Sequence, residues 1–181
     1  LKTLVASLTS ATEKAQAETA KLEQRLESST EEIARLRENL DQVRREAMTD
    51  ALTDLANRKA FDEHLARACA HADATGSPLT LALLDIDHFK RFNDTHGHAA
   101  GDDALREFAD AVRRALRTGD HFGRMGGEEF ALILPGTRTR EAFLFAERLR
   151  EAISLMSIAT REARSFGITV SIGLSSAGPE G

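Results

Sequence analysis

Hydrophobic residues in the first 49 positions recur alternately every third and every fourth residue, the spacing of a coiled-coil helix. The stretch contains no Gly and no Pro. A face this narrow does not keep a helix folded alone, so residues 1–49 are predicted to form a parallel homodimer in preference to a single solvated helix or a linker. The stripe consists of Leu1, Val5, Leu8, Thr12, Ala15, Thr19, Leu22, Leu26, Ser29, Ile33, Leu36, Leu40, Val43 and Ala47.

Short apolar runs separated by turn residues follow, and they predict a second unit over residues 50–181. Asn57 is predicted to cap an amphipathic helix of residues 58–74. Residues 79–86 are almost continuously apolar, which predicts a central strand buried on both faces, and a loop is predicted over residues 88–98.

The rest of the second unit shows helical and strand periodicity in turn. Further helices are predicted over residues 101–117 and 139–155, and a last strand over residues 168–174. Residues predicted to face the core are Phe61, Leu65 and Cys69 in the helix after Asn57, then Leu105, Phe108, Val112 and Leu116, and finally Phe143, Ala146, Leu149 and Ile153.

Two adjacent glycines and two adjacent acids lie between apolar runs in the stretch Arg124-Met-Gly-Gly-Glu-Glu-Phe130. This pattern predicts a β-hairpin with carboxylates at its tip. The order from residue 79 is then strand, helix, strand, strand, helix, strand. That order predicts an α+β fold of the split βαβ type, an antiparallel sheet with helices on one face. In this layout Asp85, at the end of the first strand, can lie beside Glu128.

The acids at the end of the first strand and at the hairpin tip suggest a cation-binding site. Asp85, Asp87, Glu128 and Glu129 are predicted to gather around Lys90. Hard oxygen ligands favour Mg²⁺ or Mn²⁺, and carboxylates that share such an ion with substrate phosphates are typical of nucleotidyl transfer. Lys90 would neutralise phosphate charge. The alternatives are a plain solvated hairpin and a solvated lysine.

The composition and net charge of the chain argue against some classes of function and of cellular location. The net charge of -5 and the pI near 5.7 argue against a general nucleic-acid binder. The single cysteine, Cys69, excludes an internal disulfide and fits a reducing compartment. No signal peptide or long apolar run is visible, so a cytoplasmic location is predicted. Because the chain begins at Leu1 rather than Met, we expect a longer protein, with membrane attachment only through a segment before Leu1.

Several motifs together resemble the diguanylate cyclase (GGDEF-domain) family of bacterial signalling enzymes. They are Asp50-x-Leu-Thr-x-Leu-x-Asn-Arg58, Asp85-x-Asp-x-Phe-Lys-x-x-Asn-Asp94, Gly97-His98, Gly101-Asp102 and Gly126-Gly-Glu-Glu-Phe130. The resemblance covers about residues 50–176. It implies a palm-type fold and Mg²⁺-dependent condensation of two GTP into cyclic di-GMP. It also implies a dimer in which two GTP-bound sites face each other.

The resemblance also implies a role for each matched residue. Metal ligands would be Asp85, the backbone carbonyl of Ile86, and Glu128, which would also accept or orient the ribose 3′-hydroxyl proton. Lys90 would stabilise the transition state, and Glu129 would be essential. The remaining substrate-binding positions are the His88 and Phe89 amides along the phosphates, Asn93, His98 and Asp102 as guanine readers, and Gly126 and Gly127, which leave room for the nucleotide.

Arg117-Thr-Gly-Asp120 stands where the family carries its inhibitory site for the product, and Arg148 matches a position that completes that site from a neighbouring domain. An arginine fork and an acidic acceptor suit phosphate and guanine. The alternative is an arginine favoured at a helix carboxyl end, followed by a turn aspartate, with Arg148 as an exposed helix residue.

Two departures from the family pattern matter. Asp54 stands where the family usually has Gly, which would alter the hinge rather than the chemistry. The family continues beyond the position of Gly181 with a helix bearing a Lys and an Arg that contact phosphates, and this chain stops before it.

Two other functions stay open: an inactive domain that acts as a receptor for cyclic di-GMP or GTP, and a coiled-coil scaffold that docks partners.

Overall fold

The computed structural model describes residues 2–159 and 165–178 and divides into two compact units, Leu1–Ala47 and Met48–Gly181. The first unit is a single helix, α1 (Lys2–Met48), as the heptad pattern predicts. The part of its apolar stripe whose side chains are described is open within one chain, with Leu26 69% and Leu40 67% exposed. Nowhere in residues 2–159 and 165–178 is a helix both long enough and apolar enough to cross a bilayer.

The described elements of the second unit are β1 (Ala56–Asn57), α2 (Arg58–Thr75), β2 (Leu79–Ile86), α3 (Phe89–His96), α4 (His98–Ala115), β3 (His121–Arg124), β4 (Glu129–Pro135), α5 (Thr139–Ser154), β5 (Ile158–Ala159), β6 (Ser165–Phe166) and β7 (Val170–Ala177). Five of the strands form one sheet with the order β1-β3-β4-β2-β7. Strand β2 is antiparallel to β4 and β7, β3 and β4 form the predicted hairpin, and β1 is parallel to β3. The α+β fold class is confirmed, while β1 and the small β5-β6 pair were not predicted.

Helices cover both faces of the sheet, so the prediction of helices on one face is wrong. One face, with Ala82, Leu84 and Ile86 of β2, packs in the same core as α4 and α5. The opposite face, with Leu79 of β2 and Ile133 of β4, packs against α2. Successive strand residues point to opposite faces, and here both sets are apolar, which is why each face needs a cover.

Burial of β2 is less complete than predicted. Leu79 is buried and Leu81 half-buried where α2 covers them, but Leu83 is 56% exposed and Asp85 is exposed. The carboxyl end of the strand is therefore open on the α2 face. The acids that follow it are accessible to a ligand.

The segment predicted as a loop over residues 88–98 is a helix, α3, and α4 begins at His98 rather than at residue 101. Phe89 is buried, and Phe92 contacts both Phe89 and Phe166, with ring centroids 6.2 and 5.6 Å apart. Helix α3 therefore owes its packing partly to a residue far away in sequence. Likewise α4 ends at Ala115 and not at residue 117, leaving Leu116 half-buried in extended backbone.

The helix after Asn57 forms as predicted. The Asn57 side chain accepts a hydrogen bond from the Ala60 amide at 3.1 Å, and Gly76, with a left-handed φ of 66°, ends α2. Cys69, however, is exposed, and the buried face of α2 continues through Ala68 and Ala72.

One residue predicted to be in the core and the ends of the last strand also differ from the prediction. Phe143 is 56% exposed, and the small Ala142 takes its place on the buried face of α5. The last strand runs over Val170–Ala177 rather than residues 168–174, although Ile168 is buried beside it. Asp54 adopts a left-handed φ of 54°, the conformation in which glycine is least strained.

Candidate functional site

The carboxyl end of β2 lies against the tip of the β3-β4 hairpin, as predicted. Asp85 is the cross-strand partner of Glu129, and the Ile86 amide donates to the Glu128 carbonyl at 3.2 Å. The turn itself is closed by the Met125 amide, which donates to the Glu129 carbonyl at 2.8 Å. Main-chain bonds therefore bring the acids of two distant segments to one edge of the sheet.

The electrostatic environment at this end of the sheet disfavours the charged form of Asp85. The pKa of Asp85 is raised by burial first and then by the charges of Glu129 and Asp87. Within residues 2–159 and 165–178, no side chain donates a hydrogen bond to the carboxylates of Asp85, Glu128 or Glu129. Mutual repulsion of this kind is relieved when a cation binds.

Asp87, which was predicted to belong to the cation site, forms hydrogen bonds with residues around the start of β7. Its carboxylate accepts hydrogen bonds from the Thr169 and Ser171 hydroxyls, each at 2.6 Å, and its amide donates to the Thr169 carbonyl at 3.0 Å. These two hydroxyls lower the pKa of Asp87 despite its partial burial. Asp87 thus ties the segment after β2 to the β7 side of the sheet.

The segment between β2 and α3 presents the residues predicted to lie along phosphates. His88 has a left-handed φ of 57° and precedes α3, whose first residue, Phe89, is buried. Lys90 is exposed on the first turn of α3. Amides in a first helical turn lack intrahelical acceptors, so those next to His88 are suited to an anion.

Asn93 and Asp102 lie close together where α3 and α4 meet. The Asn93 Oδ1 atom is buried and has no hydrogen-bond partner among the described residues. A Cβ added at Gly101 would overlap this same atom, so the Asn93 amide rests directly on α4, beside exposed Asp102. His98 is exposed at the start of α4, and no hydrogen bond joins it to Asn93.

The donor set at the hairpin end suits a hard divalent cation only if substrate completes it. Among the described residues, no three His, Cys, Asp or Glu side chains converge on a point that could hold a metal ion. The three predicted ligands, Asp85, Glu128 and the Ile86 carbonyl, therefore do not by themselves complete a metal site. Mg²⁺ is commonly held by one or two carboxylates together with substrate phosphates and water.

A second polar site lies at the opposite end of the hairpin strands. A cavity of about 460 Å³ is lined by Arg117, Asp120 and Arg148, so the structure brings together all three residues predicted for the inhibitory site. Arg117 Nε is 3.1 Å from Asp120 Oδ1, and Arg117 Nη2 donates to the Pro135 carbonyl at 2.7 Å and to the Thr137 hydroxyl. Thr137 was not among the predicted residues.

Arg124 also has a part that the sequence interpretation missed. The sequence patterns place Arg124 in the glycine motif and Asp50 in another motif, but they predict no role for Arg124 and no link between the two residues. The structure joins the two, with Arg124 Nη1 3.0 Å from Asp50 Oδ1. The position of Arg124 just before two glycines was the only available signal.

Comparisons with known proteins agree with this architecture. The family described as diguanylate cyclase, GGDEF domain, matches residues 47–181. The chain is 43% identical over 133 residues to the diguanylate cyclase DgcP of Pseudomonas aeruginosa, covering 74% of this chain and 20% of DgcP. It is 41% identical over 155 residues to the diguanylate cyclase VdcA of Vibrio cholerae, covering 84% of this chain and 44% of VdcA. The chain thus spans less than half the length of these relatives.

A solved structure extends the likeness to the long helix. The coiled coil and GGDEF domain of DgcB from Caulobacter crescentus, in complex with c-di-GMP, superimposes with a TM-score of 0.82 at 46% identity. That match covers 87% of this chain and 84% of the DgcB chain. The matched motifs, the sheet order and these relatives lead to one conclusion: the chain belongs to the diguanylate cyclase GGDEF-domain family.

Proposed function

We propose that this chain is a diguanylate cyclase domain that condenses two GTP into cyclic di-GMP. The observation that carries the proposal is the main-chain bond from Ile86 to Glu128, which fixes Asp85 beside Glu129, while no side chain among the described residues donates a hydrogen bond to these acids. In each of two steps a ribose 3′-oxygen attacks the α-phosphorus of the other GTP. The bond to pyrophosphate breaks and the hydroxyl proton is lost, so two pyrophosphates leave per product.

Glu128, at the tip of the hairpin, would accept the proton of the ribose 3′-hydroxyl group. Glu128 is half-buried in the turn, with its carbonyl held by Ile86, so its carboxylate is a positioned acceptor for the 3′-hydroxyl proton. Glu129 lies over Gly126, and a Cβ added there would come within 2.8 Å of Glu129 Oε2. The two glycines leave the space above the acids open to a nucleotide.

A bound Mg²⁺ or Mn²⁺ would supply charge neutralisation of the triphosphate and orientation of the α-phosphorus. Asp85, Glu128 and the Ile86 carbonyl would hold it. Lys90, exposed on the first turn of α3, would contact the same phosphates, and the His88 and Phe89 amides would lie along them.

Guanine would be read where α3 meets α4. A buried amide oxygen without a partner costs free energy unless a ligand donates to it, and the N–H groups of guanine are such donors. Asn93 Oδ1 and the Asp102 carboxylate both accept hydrogen bonds. His98 starts α4 and would contribute from its rim.

The product would also bind away from the catalytic end. Arg117, Asp120 and Arg148 line one cavity, which offers two guanidinium groups and a carboxylate to the phosphates and bases of cyclic di-GMP. Binding there would act as feedback inhibition.

Two catalytic domains must meet, and α1 would bring them together as a parallel coiled coil. Leu22, Leu26, Leu36 and Leu40 are each more than half exposed within one chain. Burying such a stripe against a second copy would stabilise the helix and raise the local concentration of the second domain.

The decisive test is incubation of the full chain with GTP and Mg²⁺, followed by chromatography of the nucleotides. We expect cyclic di-GMP from the native chain and none from Glu128→Gln, which is nearly isosteric and removes a repelling charge. Glu63→Gln, on the exposed surface of α2, is the matched control and should keep its turnover. Product binding without any turnover by the native chain would instead establish a receptor.

The dimer has its own test. Replacing Leu26 and Ile33 by Asp would place charges in the stripe and should yield monomers that lose turnover while the second unit stays folded. Light scattering and turnover would be measured on the same samples. A monomer that makes cyclic di-GMP at the native rate at low protein concentration would contradict the model.

A further inference from the structure

Arg124, the last residue of β3, makes contacts in two directions. Toward the hairpin turn, its Nε donates to the Gly126 carbonyl at 3.1 Å and its Nη2 donates to the Gly127 carbonyl at 2.7 Å. Toward the start of the second unit, its Nη1 lies 3.0 and 3.2 Å from the two Asp50 carboxylate oxygens. One guanidinium therefore joins two segments that are 74 residues apart.

The acceptor at Asp50 is itself fixed. Its Oδ1 also accepts from the Thr53 amide at 3.0 Å and from the Thr53 hydroxyl at 2.7 Å. Burial works against the charge of Asp50, but the bonds from Thr53 and Arg124 outweigh it and lower the pKa of this carboxyl. The ion pair is largely shielded, with the side chains of Arg124 and Asp50 only 13% and 24% exposed.

The turn needs such a restraint. Gly126 and Gly127 have no side chains to limit their backbone, and the amides of Met125 and Gly126 both donate to the same Glu129 carbonyl, at 2.8 and 3.3 Å. With both glycine carbonyls bound by Arg124, the turn has one preferred conformation. That conformation sets where Glu128 leaves the turn.

We propose that Arg124 is a positioning residue that holds the Gly126–Gly127 turn, and so Glu128, in register with Asp85, and that Asp50 holds Arg124. The proposal rests on the proposed cyclase function. Asp50 is two residues beyond Met48, the last residue of α1. A change in the chain path at Asp50 would therefore reach the catalytic turn through the Arg124 side chain.

A guanidinium is required because three N–H groups must point at three separate acceptors in one plane. A lysine ammonium in its place keeps the charge but cannot span both glycine carbonyls and Asp50. Arg124→Lys and Asp50→Asn are therefore the informative variants. Arg113→Lys is the matched control, because Arg113 Nη2 donates to the Thr53 carbonyl at 3.1 Å in the same segment but does not contact the turn.

The experiment measures hydrogen exchange of the Met125 and Gly126 amides and GTP turnover, both on the full chain. We expect exchange at these amides to become about tenfold faster or more in Arg124→Lys and Asp50→Asn, and to stay unchanged in Arg113→Lys. The kcat should fall by about ten- to a hundredfold, as for other residues that orient ligands, while KM for GTP changes far less.

The double variant tests the order of the relay. If Asp50 acts through Arg124, adding Asp50→Asn to Arg124→Lys should cause no further loss of kcat. Independent, multiplicative losses would overturn the relay, and unchanged exchange with unchanged kcat in both single variants would overturn the positioning role. Thermal melting identifies a variant that fails to fold, in which case the near-isosteric Asp50→Asn decides. If the native chain lacks turnover, the cyclase proposal fails, and the exchange data still test the restraint on the turn.

Discussion

The two polar sites at opposite ends of the hairpin strands differ in whether their charged side chains already have hydrogen-bond partners. At the tip, Asp85 stands across from Glu129, no side chain in the part of the chain that the structure describes donates to it, and burial and neighbouring charge raise its pKa. At the other end, Arg117 is bound by Asp120, by the Pro135 carbonyl and by Thr137 before any ligand arrives. The described residues thus leave the acids at the tip without a hydrogen-bonded partner, whereas the arginine at the other end already has one.

This difference indicates what each site can do. An uncompensated pair of carboxylates stores repulsion that a cation relieves, so the tip should bind its metal and substrate together and be more stable with them. A satisfied arginine must exchange internal bonds for those of a ligand, so net affinity there is the difference between two sets of bonds. Such a balance suits a regulatory site whose occupancy follows ligand concentration.

The largest effect should come from Asp85→Asn. Removing a proposed metal ligand should lower cyclase turnover by more than about a hundredfold, since even outer-shell partners of a metal often contribute that much. Stability should hold or rise near neutral pH, because the substitution removes repulsion with Glu129. Thermal melting and product chromatography measure the two quantities. A variant that melts well below the native chain would refute the repulsion argument.

Asp120→Asn tests the other side of the comparison. The Asp120 side chain is only 5% exposed and accepts from the Arg117 amide and guanidinium, so here loss of a carboxylate should destabilise the fold, by about 1 to 3 kcal/mol. Inhibition by cyclic di-GMP should weaken by about ten- to a hundredfold with little change in uninhibited turnover. Arg117→Ala should weaken inhibition similarly. An unchanged inhibition constant in both variants would reject the site.

Gly101→Ala tests whether shape, rather than charge, holds Asn93, the proposed guanine-binding residue. Alanine within a helix usually stabilises by about 0.5 to 1 kcal/mol relative to glycine, but here its Cβ would overlap Asn93 Oδ1. We expect no gain in melting temperature and a KM for GTP raised by about tenfold, the value of one hydrogen bond. Asn93→Ala should show the same KM. A stabilised Gly101→Ala variant with native KM would contradict this role of Gly101.

Asp54→Gly should change neither site and should have the smallest effect. Asp54 has a φ of 54°, and glycine relieves the strain of this conformation at the cost of a more flexible unfolded chain. A gain of up to about 1 kcal/mol in unfolding free energy is expected, measured by denaturant titration with unchanged turnover. A destabilised variant would show that the Asp54 side chain stabilises the native fold.

Local signals were sufficient for much of the fold and for placing Asp85 beside the hairpin tip. The heptad stripe predicts α1, Asn57 predicts the start of α2, and two glycines between apolar runs predict the hairpin turn. Asp85 and Glu128 could be placed together because the order of the elements already requires the first strand to lie beside the hairpin. Each of these inferences needs only periodicity, a cap, a turn or a rule of topology.

The tertiary structure decided what depends on distant partners. Helix α3 packs against Phe166, Asp87 is held by Thr169 and Ser171, and both could be found only once β7 and its neighbours were placed. The choice of Ala142 over Phe143 for the core follows from the rotation of α5 on the sheet.

Arg124 shows the limit most clearly. Sequence composition marks it as a cation before a flexible turn, but its function depends on an acid 74 residues earlier. Periodicity, caps and turns act over a few residues, whereas a side-chain hydrogen bond depends on positions that only the folded backbone brings within about 3 Å.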